Sequence, residues 1–320
     1  MHSSSLQLRT TRLAPSPTGA LHLGNARTLL ATWAIARQRQ YKIVLRIEDL
    51  DGPRIKPESI QQAIDDLTWL GLEWDAGPTL QSTDLTPYAK AIAHLIASGT
   101  AYPCVCTRKE VELAASAPHA EDGSTVYPGT CRGRFASVDD ARRSSGREPA
   151  IRFRVPDQIF TFTDTFSGQR SIDLANQIGD FVVAKPDGSP AYQLAVVVDD
   201  TAAGVTDVIR GDDLIDSVAR QVLLYRALGW ADRVPAYTHL PLVTGQDGRR
   251  LAKRHGDTRL STYRDAGVSA GRMRALLSRW LGIDAGDTIQ ASEVASRFDL
   301  AKLPREPIVF RASDDAFLRR

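Results

Sequence analysis

Apolar and polar positions in the first hundred residues predict strands and helices in alternation. The stretch Thr11–Ala14, which is followed by a proline-rich break, is a candidate for a short strand, and amphipathic spacing from Leu23 to Arg39 predicts a helix. The nearly continuous apolar run over residues 42–48 is typical of a strand that is buried on both faces of a parallel sheet. A second helix is predicted from Pro57 to Leu70. This order of elements predicts an α/β fold with a doubly wound parallel sheet.

The pattern changes in the middle of the chain and then returns. Residues 101–190 include alternating stretches such as Ala150–Val155, which predict half-exposed antiparallel strands. The apolar run Tyr192–Asp200 predicts another strand of the parallel sheet. Helical spacing follows over Leu214–Leu228, and His239–Val243 is a further predicted strand.

These patterns predict four segments, of which the last is helical and has no strand. We expect a Rossmann-like nucleotide-binding catalytic domain in two halves, a small α+β insertion between them, and a short helical tail. The expected bounds are 1–100 for the first half, 101–190 for the insertion, 191–265 for the second half and 266–320 for the tail.

Composition narrows the class of protein. The chain has 320 residues, of which 42% are hydrophobic and 24% charged, as is ordinary for a globular protein. A net charge of +2 means that any surface for nucleic acid must be a local patch. No apolar run approaches the roughly 20 residues that a membrane span needs, and the polar start shows no secretory signal. We therefore expect a cytoplasmic enzyme that has no membrane partner and is a monomer.

Three cysteines lie close together in the predicted insertion, at Cys104, Cys106 and Cys131. An odd number of thiols cannot all pair within one chain, and in a reducing compartment such a cluster favours a metal site over a disulfide framework. Tetrahedral Zn²⁺ accepts three thiolates but needs a fourth ligand, for which His119 is the chemically ordinary candidate. Three free thiols in a small core are the alternative.

Two segments have the composition of phosphate-binding loops. His22 and Gly24 lie at the start of the first predicted helix, just after the first predicted strand, where this topology binds nucleotides. The basic stretch Gly248–Gly256 centres on Lys253, a cation that could meet the charge of a departing pyrophosphate. Taken singly, the first segment could be an ordinary proline-rich turn before a helix, and the second a solvated basic turn.

Together the two segments resemble the paired signatures of class I aminoacyl-tRNA synthetases. His22-Leu23-Gly24-Asn25 is similar to the His-Ile-Gly-His signature, and Arg250-Leu251-Ala252-Lys253-Arg254 to Lys-Met-Ser-Lys-Ser. Four further stretches resemble the glutamyl branch of that family: Arg12–Gly19, Arg46–Asp51, Tyr192–Asp200 and Val208–Leu214. The likeness extends over residues 9–265. The departures from the signatures that change the chemistry of the side chain are Asn25, Arg250, Ala252 and Arg254, while Lys253 is retained.

This resemblance implies a glutamate pocket, an ATP site and a metal centre. Glutamate would be bound by Arg12, Ala14, Ser16, Glu48, Tyr192 and Arg210, and ATP by Pro15, Thr18, Gly19, His22, Gly24, Asn25, Leu251 and Lys253. His22 and Lys253 would be catalytic, and Mg²⁺ would accompany ATP. Cys104, Cys106, Tyr127 and Cys131 would hold one structural zinc ion, so the resemblance favours Tyr127 over His119 as the fourth ligand.

Within the implied pocket, the residue types suit the charges of glutamate. A guanidinium at Arg12 or Arg210 can bind the side-chain carboxylate with two parallel hydrogen bonds, whereas Glu48 would receive the α-ammonium group. Tyr192 would close the pocket with its hydroxyl. The alternatives are exposed ion pairs for Arg12 and Glu48 and a core position for Tyr192.

The length of the chain is informative within the glutamyl branch. Only 55 residues follow Asp265, too few for the anticodon-binding domain that full-length members carry. Short members with a three-cysteine site are the glutamyl-Q tRNA(Asp) synthetases, which transfer glutamate to queuosine in the anticodon loop of tRNA(Asp). Two alternatives remain: a truncated glutamyl-tRNA synthetase paralogue that charges a tRNA 3′ end, and a non-enzymatic tRNA- or nucleotide-binding protein.

Overall fold

Strands that pair in parallel and the helices between them form the first of two compact units. In the computed structural model, residues 8–17, 20–50, 55–114, 126–251 and 256–320 are described. The first unit comprises Met1–Leu80, Val205–Asp212 and Ala236–Arg320. The second comprises Gln81–Gly204 and Asp213–Pro235.

Most β-strands of the first unit are buried, as the continuous apolar runs predicted, but the strands at Ala76–Leu80 and Ile308–Val309 are half-buried or exposed. Its strands are β1 (Thr10–Leu13), β2 (Lys42–Ile47), β3 (Ala76–Leu80), β9 (Asp207–Gly211), β10 (Ala236–Leu240), β11 (Val243–Thr244) and β12 (Ile308–Val309). Its helices are α1 (Leu23–Gln38), α2 (Pro57–Trp69), α8 (Leu260–Asp265), α9 (Ala270–Arg279), α10 (Ala291–Arg297) and α11 (Ala312–Leu318). The two-residue strand β12 corrects the expectation that the tail has none.

Parallel pairing brings the carboxyl ends of five strands to one edge. β1, β2 and β3 pair in parallel in that order, and β9 pairs in parallel with β10. β9 also lies beside β1, because the Thr206 amide donates to the Thr10 carbonyl and Arg12 Nη1 to the Ile209 carbonyl. The later residue of β1 bonds to the later residue of the β9 segment, so the two strands run in the same direction. The α/β class with a parallel sheet is therefore confirmed.

The second unit is built from short antiparallel strands and helices. Its strands are β4 (Ala101–Cys104), β5 (Ala150–Phe153), β6 (Ile159–Asp164), β7 (Gly168–Asp173) and β8 (Phe181–Ala184), and β5 lies between β4 and β8. Its helices are α3 (Thr86–Ala97), α4 (Arg108–Ala114), α5 (Val138–Ser145), α6 (Tyr192–Ala202) and α7 (Ser217–Ala227). This unit is larger than the insertion expected at 101–190, and the four-segment division stays a prediction.

The expected strand at Tyr192–Asp200 is wrong, because this stretch is helix α6. Residues 194–198 are all buried, so the helix has no wide polar face in its middle that would reveal a period of 3.6 residues. Three consecutive valines, at 196–198, made the run look like a buried strand. In the described residues, no helix is long and apolar enough to cross a membrane.

Candidate functional site

Two buried arginines lie on adjacent strands at the edge where the parallel strands end. Arg12 and Arg210 are each only 5% exposed, which overturns the alternative of an exposed ion pair for Arg12. Arg210 Nε donates to His239 Nε2 at 3.0 Å, and its guanidinium lies 5.4 Å from the centre of the Tyr237 ring. Since a guanidinium can only donate, His239 accepts with Nε2 and carries its proton on Nδ1.

Glu48 follows β2 at the same edge and is held by the segment that leaves β1. Its amide donates to the Pro15 carbonyl at 3.1 Å, and Ser16 Oγ donates to Glu48 Oε2 at 3.3 Å. Glu48 Oε1 also forms an ion pair with Arg46 Nη2 at 3.0 Å, with side chains only 9% and 4% exposed. The structure thus brings Ser16 and Glu48 together, and the neighbouring Ala14 is half-buried. Arg46, which the sequence did not single out, balances much of the Glu48 charge.

His22 stands at the N-terminus of α1, where backbone N–H groups have no helical partner. Its backbone is extended (φ −97°, ψ 160°), and its side chain forms no capping hydrogen bond with the first turn of the helix. His22 Nδ1 lies 3.2 Å from Thr258 Oγ1, and the Leu23 amide donates to the Thr258 carbonyl at 3.0 Å. The imidazole is therefore positioned by a residue beyond the basic loop, which sequence reasoning missed.

Gly24 and Asn25 occupy the first turn of α1. A Cβ at Gly24 would lie 3.6 Å from Val243 Cβ, an ordinary contact, so the protein's own packing does not require glycine there. Asn25, which replaces a histidine of the signature, is exposed. Both residues are thus placed at a helix N-terminus suited to an anion.

The basic loop is anchored on both sides within the first unit. The Leu251 amide donates to the Val243 carbonyl at 3.0 Å, and Thr244 pairs with Arg250. On the other side, the Leu260 amide donates to the Leu21 carbonyl at 2.8 Å. The expected site residues Thr18, Gly19 and Lys253 lie outside the described residues, as do Ala252 and Arg254.

Tyr192 belongs to the second unit, where it is the first residue of α6. It is 40% exposed, so the alternative of a core tyrosine is wrong. Its expected contact with glutamate stays a prediction.

The three cysteines of the second unit converge on one point. The Sγ atoms of Cys104, Cys106 and Cys131 all lie within 4.8 Å of one another. Tyr127 Oη lies 3.4 Å from Cys104 Sγ and 3.5 Å from Cys106 Sγ. An oxygen and a sulfur at the corners of a zinc tetrahedron are about 3.5 Å apart, given metal–ligand distances of about 2.0 and 2.3 Å. The donor set therefore fits a tetrahedral metal ion, with Tyr127 as its fourth member; His119 lies outside the described residues.

Without a metal ion, the protein environment favours protonation of two of these donors. Burial raises the pKa of the Cys106 thiol to about 11 and the pKa of the Tyr127 phenol well above its usual range. Burial also acts on Cys131, but hydrogen bonds from Tyr127, the Val105 amide and its neighbouring thiols lower the pKa of this thiol. A divalent cation deprotonates the thiols that it binds. Their protonation in the absence of metal is therefore no obstacle, and the cluster could hold a metal ion.

Two charged side chains of the first unit are fully buried, and neither was singled out from the sequence. Arg27 of α1 is fully buried and donates to the Pro241 and Trp280 carbonyls, and burial lowers its pKa to about 10. Asp66 of α2 is also fully buried, and burial raises its pKa to about 6. Charged residues on the apolar face of a predicted helix are the signal that could have revealed both.

Comparisons with known proteins agree with this geometry. The family described as tRNA synthetases class I (E and Q), catalytic domain, matches residues 9–314. A protein of Symbiobacterium thermophilum named Glutamyl-Q tRNA(Asp) synthetase is 46% identical, covering 96% of this chain and 97% of its own length. A Glutamate–tRNA ligase of Citrifermentans bemidjiense is 40% identical, covering 93% of this chain and 63% of its own length.

A solved structure is similar over almost the whole chain. The glutamate tRNA ligase of Elizabethkingia meningosepticum, crystallised with its amino acid, superposes with a TM-score of 0.80. It is 29% identical, and the match covers 97% of this chain and 68% of that one. The family match over nearly all of the sequence, together with the signature histidine at the start of α1, places this chain in the class I tRNA synthetase family (E and Q).

Proposed function

We propose that this protein activates L-glutamate with ATP and transfers the glutamyl group to queuosine in the anticodon loop of tRNA(Asp). The observation that carries the proposal is the pair of buried guanidiniums, Arg12 and Arg210, beside the strand that leads to Glu48. Fixed cations near one carboxylate suit an amino acid with two carboxylates and an ammonium group. The relative named Glutamyl-Q tRNA(Asp) synthetase, 46% identical, supports the acceptor.

In the first step, an oxygen of the glutamate α-carboxylate attacks the α-phosphorus of ATP, and pyrophosphate leaves. His22 donates to a phosphate oxygen at the N-terminus of α1, where backbone N–H groups add their own positive potential. ATP enters with Mg²⁺ on its phosphates, and Lys253 balances the charge of the leaving pyrophosphate. Gly24 leaves room for the nucleotide to lie close to the helix. The other residues to which we assign ATP binding are Pro15, Thr18, Gly19, Asn25 and Leu251.

In the second step, a hydroxyl of the queuosine ring attacks the carbonyl carbon of glutamyl-adenylate, and AMP leaves as the ester forms. No residue of the chain forms a covalent intermediate. Catalysis rests on orientation of the reactants and on stabilisation of phosphate charge, both of which act without a nucleophilic side chain.

We further propose that the metal is one zinc ion held by Cys104, Cys106, Tyr127 and Cys131 in a structural role. Soft thiolate donors in a compact tetrahedral set favour Zn²⁺ over Mg²⁺ or Ca²⁺. Metal analysis of protein purified without chelators should find one zinc per chain, and Cys106→Ser should lose it. Reduced thiols, ATP and tRNA all fit action in the cytoplasm, and we propose that the protein acts there as a monomer.

A second candidate is a ligase that esterifies the 3′ end of a tRNA. It is favoured by the 40% identity to a Glutamate–tRNA ligase and by the structural match to another. The two candidates share the first step and differ in the acceptor.

Glutamate-dependent exchange of labelled pyrophosphate into ATP tests the shared step. With Mg²⁺ but no tRNA, the protein should catalyse exchange with glutamate and much less with glutamine. Lys253→Ala should lower kcat by about 10²–10³-fold and change the glutamate KM little, since this cation acts on charge that develops at the phosphate. Exchange that needs added tRNA would contradict independent activation, and no exchange at all would favour a binding protein.

A further inference from the structure

We propose that Arg152 is a positioning residue of the metal centre, whose guanidinium balances the negative charge of the cysteine donors and thereby sets the affinity for Zn²⁺. This inference rests on the proposed zinc site and assigns a role to a residue outside the four donors. Arg152 lies on β5, which pairs with the strand β4 that ends at Cys104.

Three contacts fix the guanidinium of Arg152 against the donors. Its Nε donates to Cys104 Sγ at 3.3 Å, and its central carbon lies 3.9 Å from the centre of the Tyr127 ring. Its Nη1 donates to the backbone carbonyl of Asp180 at 2.9 Å, which holds the planar group in place. The guanidinium therefore touches two of the four donor residues.

The charge of Arg152 is available to the metal centre because a different arginine neutralises the nearest carboxylate. Asp180 accepts from Arg132 Nε at 2.9 Å, from Tyr102 Oη at 2.5 Å and from the Val155 amide at 2.8 Å. Within the described ranges of the chain, no carboxylate forms an ion pair with Arg152.

Charge balance gives this arrangement a consequence for metal binding. Three thiolates and one divalent ion have a net charge of −1, and Cys104 and Cys131 are almost fully buried. A buried net charge is unfavourable unless an opposite charge lies beside it. Arg152 supplies that charge, and its N–H group also orients the Cys104 sulfur. Partners of metal ligands typically change metal affinity by about 10–100-fold when removed.

Four variants of the full-length chain separate charge, hydrogen bonding and general structure. Arg152→Met removes both the charge and the donor, Arg152→Gln keeps a donor without charge, and Arg152→Lys keeps the charge. Arg154→Met is the matched control, because Arg154 also lies over an aromatic ring (Tyr102, 5.2 Å) but is exposed and touches no cysteine. Each variant is compared with wild type by far-UV circular dichroism before metal is added.

The measurement is the Kd for Zn²⁺, obtained by competition with a chromophoric chelator, with the thiolate-to-Co²⁺ charge-transfer band as a second signal. Arg152→Met and Arg152→Gln should bind Zn²⁺ about 10–100-fold more weakly, Arg152→Lys should recover most of the affinity, and Arg154→Met should match wild type. The charge-balance proposal would be overturned if either Arg152→Gln or Arg152→Met bound Zn²⁺ with wild-type affinity. It would also be overturned if Arg154→Met lost as much Zn²⁺ affinity as the Arg152 variants. If Arg152→Met fails to fold, the comparison of Arg152→Gln with Arg152→Lys decides. A wild-type chain that binds no Zn²⁺ would overturn the zinc site itself.

Discussion

At the scale of single residues, Arg210, which we propose to bind the side-chain carboxylate of glutamate, is a buried cation that the protein itself holds in place. His239 accepts from its Nε at 3.0 Å and the Tyr237 ring lies beside it, so the guanidinium is oriented before any substrate arrives. A side chain held in this way loses little conformational entropy on binding. The parallel register of β9 and β10 produces this arrangement by placing Arg210 opposite His239.

Replacing Arg210 should therefore impair recognition of the glutamate side chain. Arg210→Ala should raise the glutamate KM in pyrophosphate exchange by about 30-fold or more, or about 2 kcal/mol, and weaken discrimination against glutamine. Arg210→Lys should rescue little, because an ammonium group cannot form the two parallel hydrogen bonds. Arg9→Ala is the control, since Arg9 is 47% exposed and pairs with Asp207 at the start of the same strand. An unchanged glutamate KM in Arg210→Ala would remove Arg210 from the pocket.

Asp66 gives the stability of the protein a distinct dependence on pH. Burial raises its pKa to about 6, and the negative charge of Asp65 also acts to raise it. Hydrogen bonds from Gln62 and the Leu21 amide and the positive charge of Arg264 act to lower it. The folded protein therefore binds this proton more tightly than the unfolded chain, in which the pKa is about 3.9. The stabilisation is fully present below about pH 4 and is lost as pH rises through about 6, a difference of about 3 kcal/mol.

Urea unfolding of wild type and Asp66→Asn between pH 4.5 and 7.5 measures this effect. The free energy of unfolding of wild type relative to Asp66→Asn should fall as pH rises over this range. Asp65→Asn changes an exposed neighbour on the same helix. The difference in free energy of unfolding between wild type and Asp65→Asn should therefore not change with pH. A constant difference between wild type and Asp66→Asn at all pH values would contradict the raised pKa.

At the scale of elements, α1 is held in place by a charge in its interior face. Arg27 donates to the carbonyls of Pro241, which follows β10, and Trp280, which follows α9. Its guanidinium also faces the charge of Asp212, just after β9. One side chain thereby bonds the helix that follows His22 to two other parts of the first unit and interacts electrostatically with a third.

Arg27→Met should lower the free energy of unfolding by about 3–5 kcal/mol, because it leaves two carbonyls without their buried donor and removes the positive charge that faces Asp212. Arg37→Met, on the same helix, should cost at most about 1 kcal/mol, since its ion pair with Asp75 is partly exposed. Tryptophan fluorescence in urea reports the change well, because four of the five tryptophans belong to the first unit. Equal losses of unfolding free energy in the two variants would show that the burial of Arg27 makes no extra contribution to stability.

Elements with a clear period were predicted from the sequence, and elements without one were not. The ends of α1, α2, β1 and β2 were all predicted to within one residue, because their patterns and the neighbouring prolines are unambiguous. α6 was mistaken for a strand since it is buried on most sides. The strand ends that place Arg12, Glu48 and Arg210 followed from the topology. His239 and Thr258 did not, because pairing across distant strands and loops leaves no local pattern. Arg46 was missed although a local signal existed, since side chains two residues apart on a strand lie on the same face.

At the scale of the whole molecule, the two units carry different chemistry. The first contains the described residues of the proposed ATP site and all of the glutamate pocket except Tyr192. The second contains the three cysteines, Tyr127 and Arg152. Activation of glutamate and binding of metal can therefore be tested separately, by pyrophosphate exchange and by metal titration.

Transfer of labelled glutamate to purified tRNA(Asp) tests the central claim most directly. Three substrates are compared: tRNA(Asp) with queuosine, the same tRNA with guanosine at that position, and the queuosine form with its 3′-terminal CCA removed. The account predicts labelling of both queuosine forms and none of the guanosine form. Labelling that ignores queuosine but requires the 3′ end would contradict it and identify a ligase that charges the tRNA terminus.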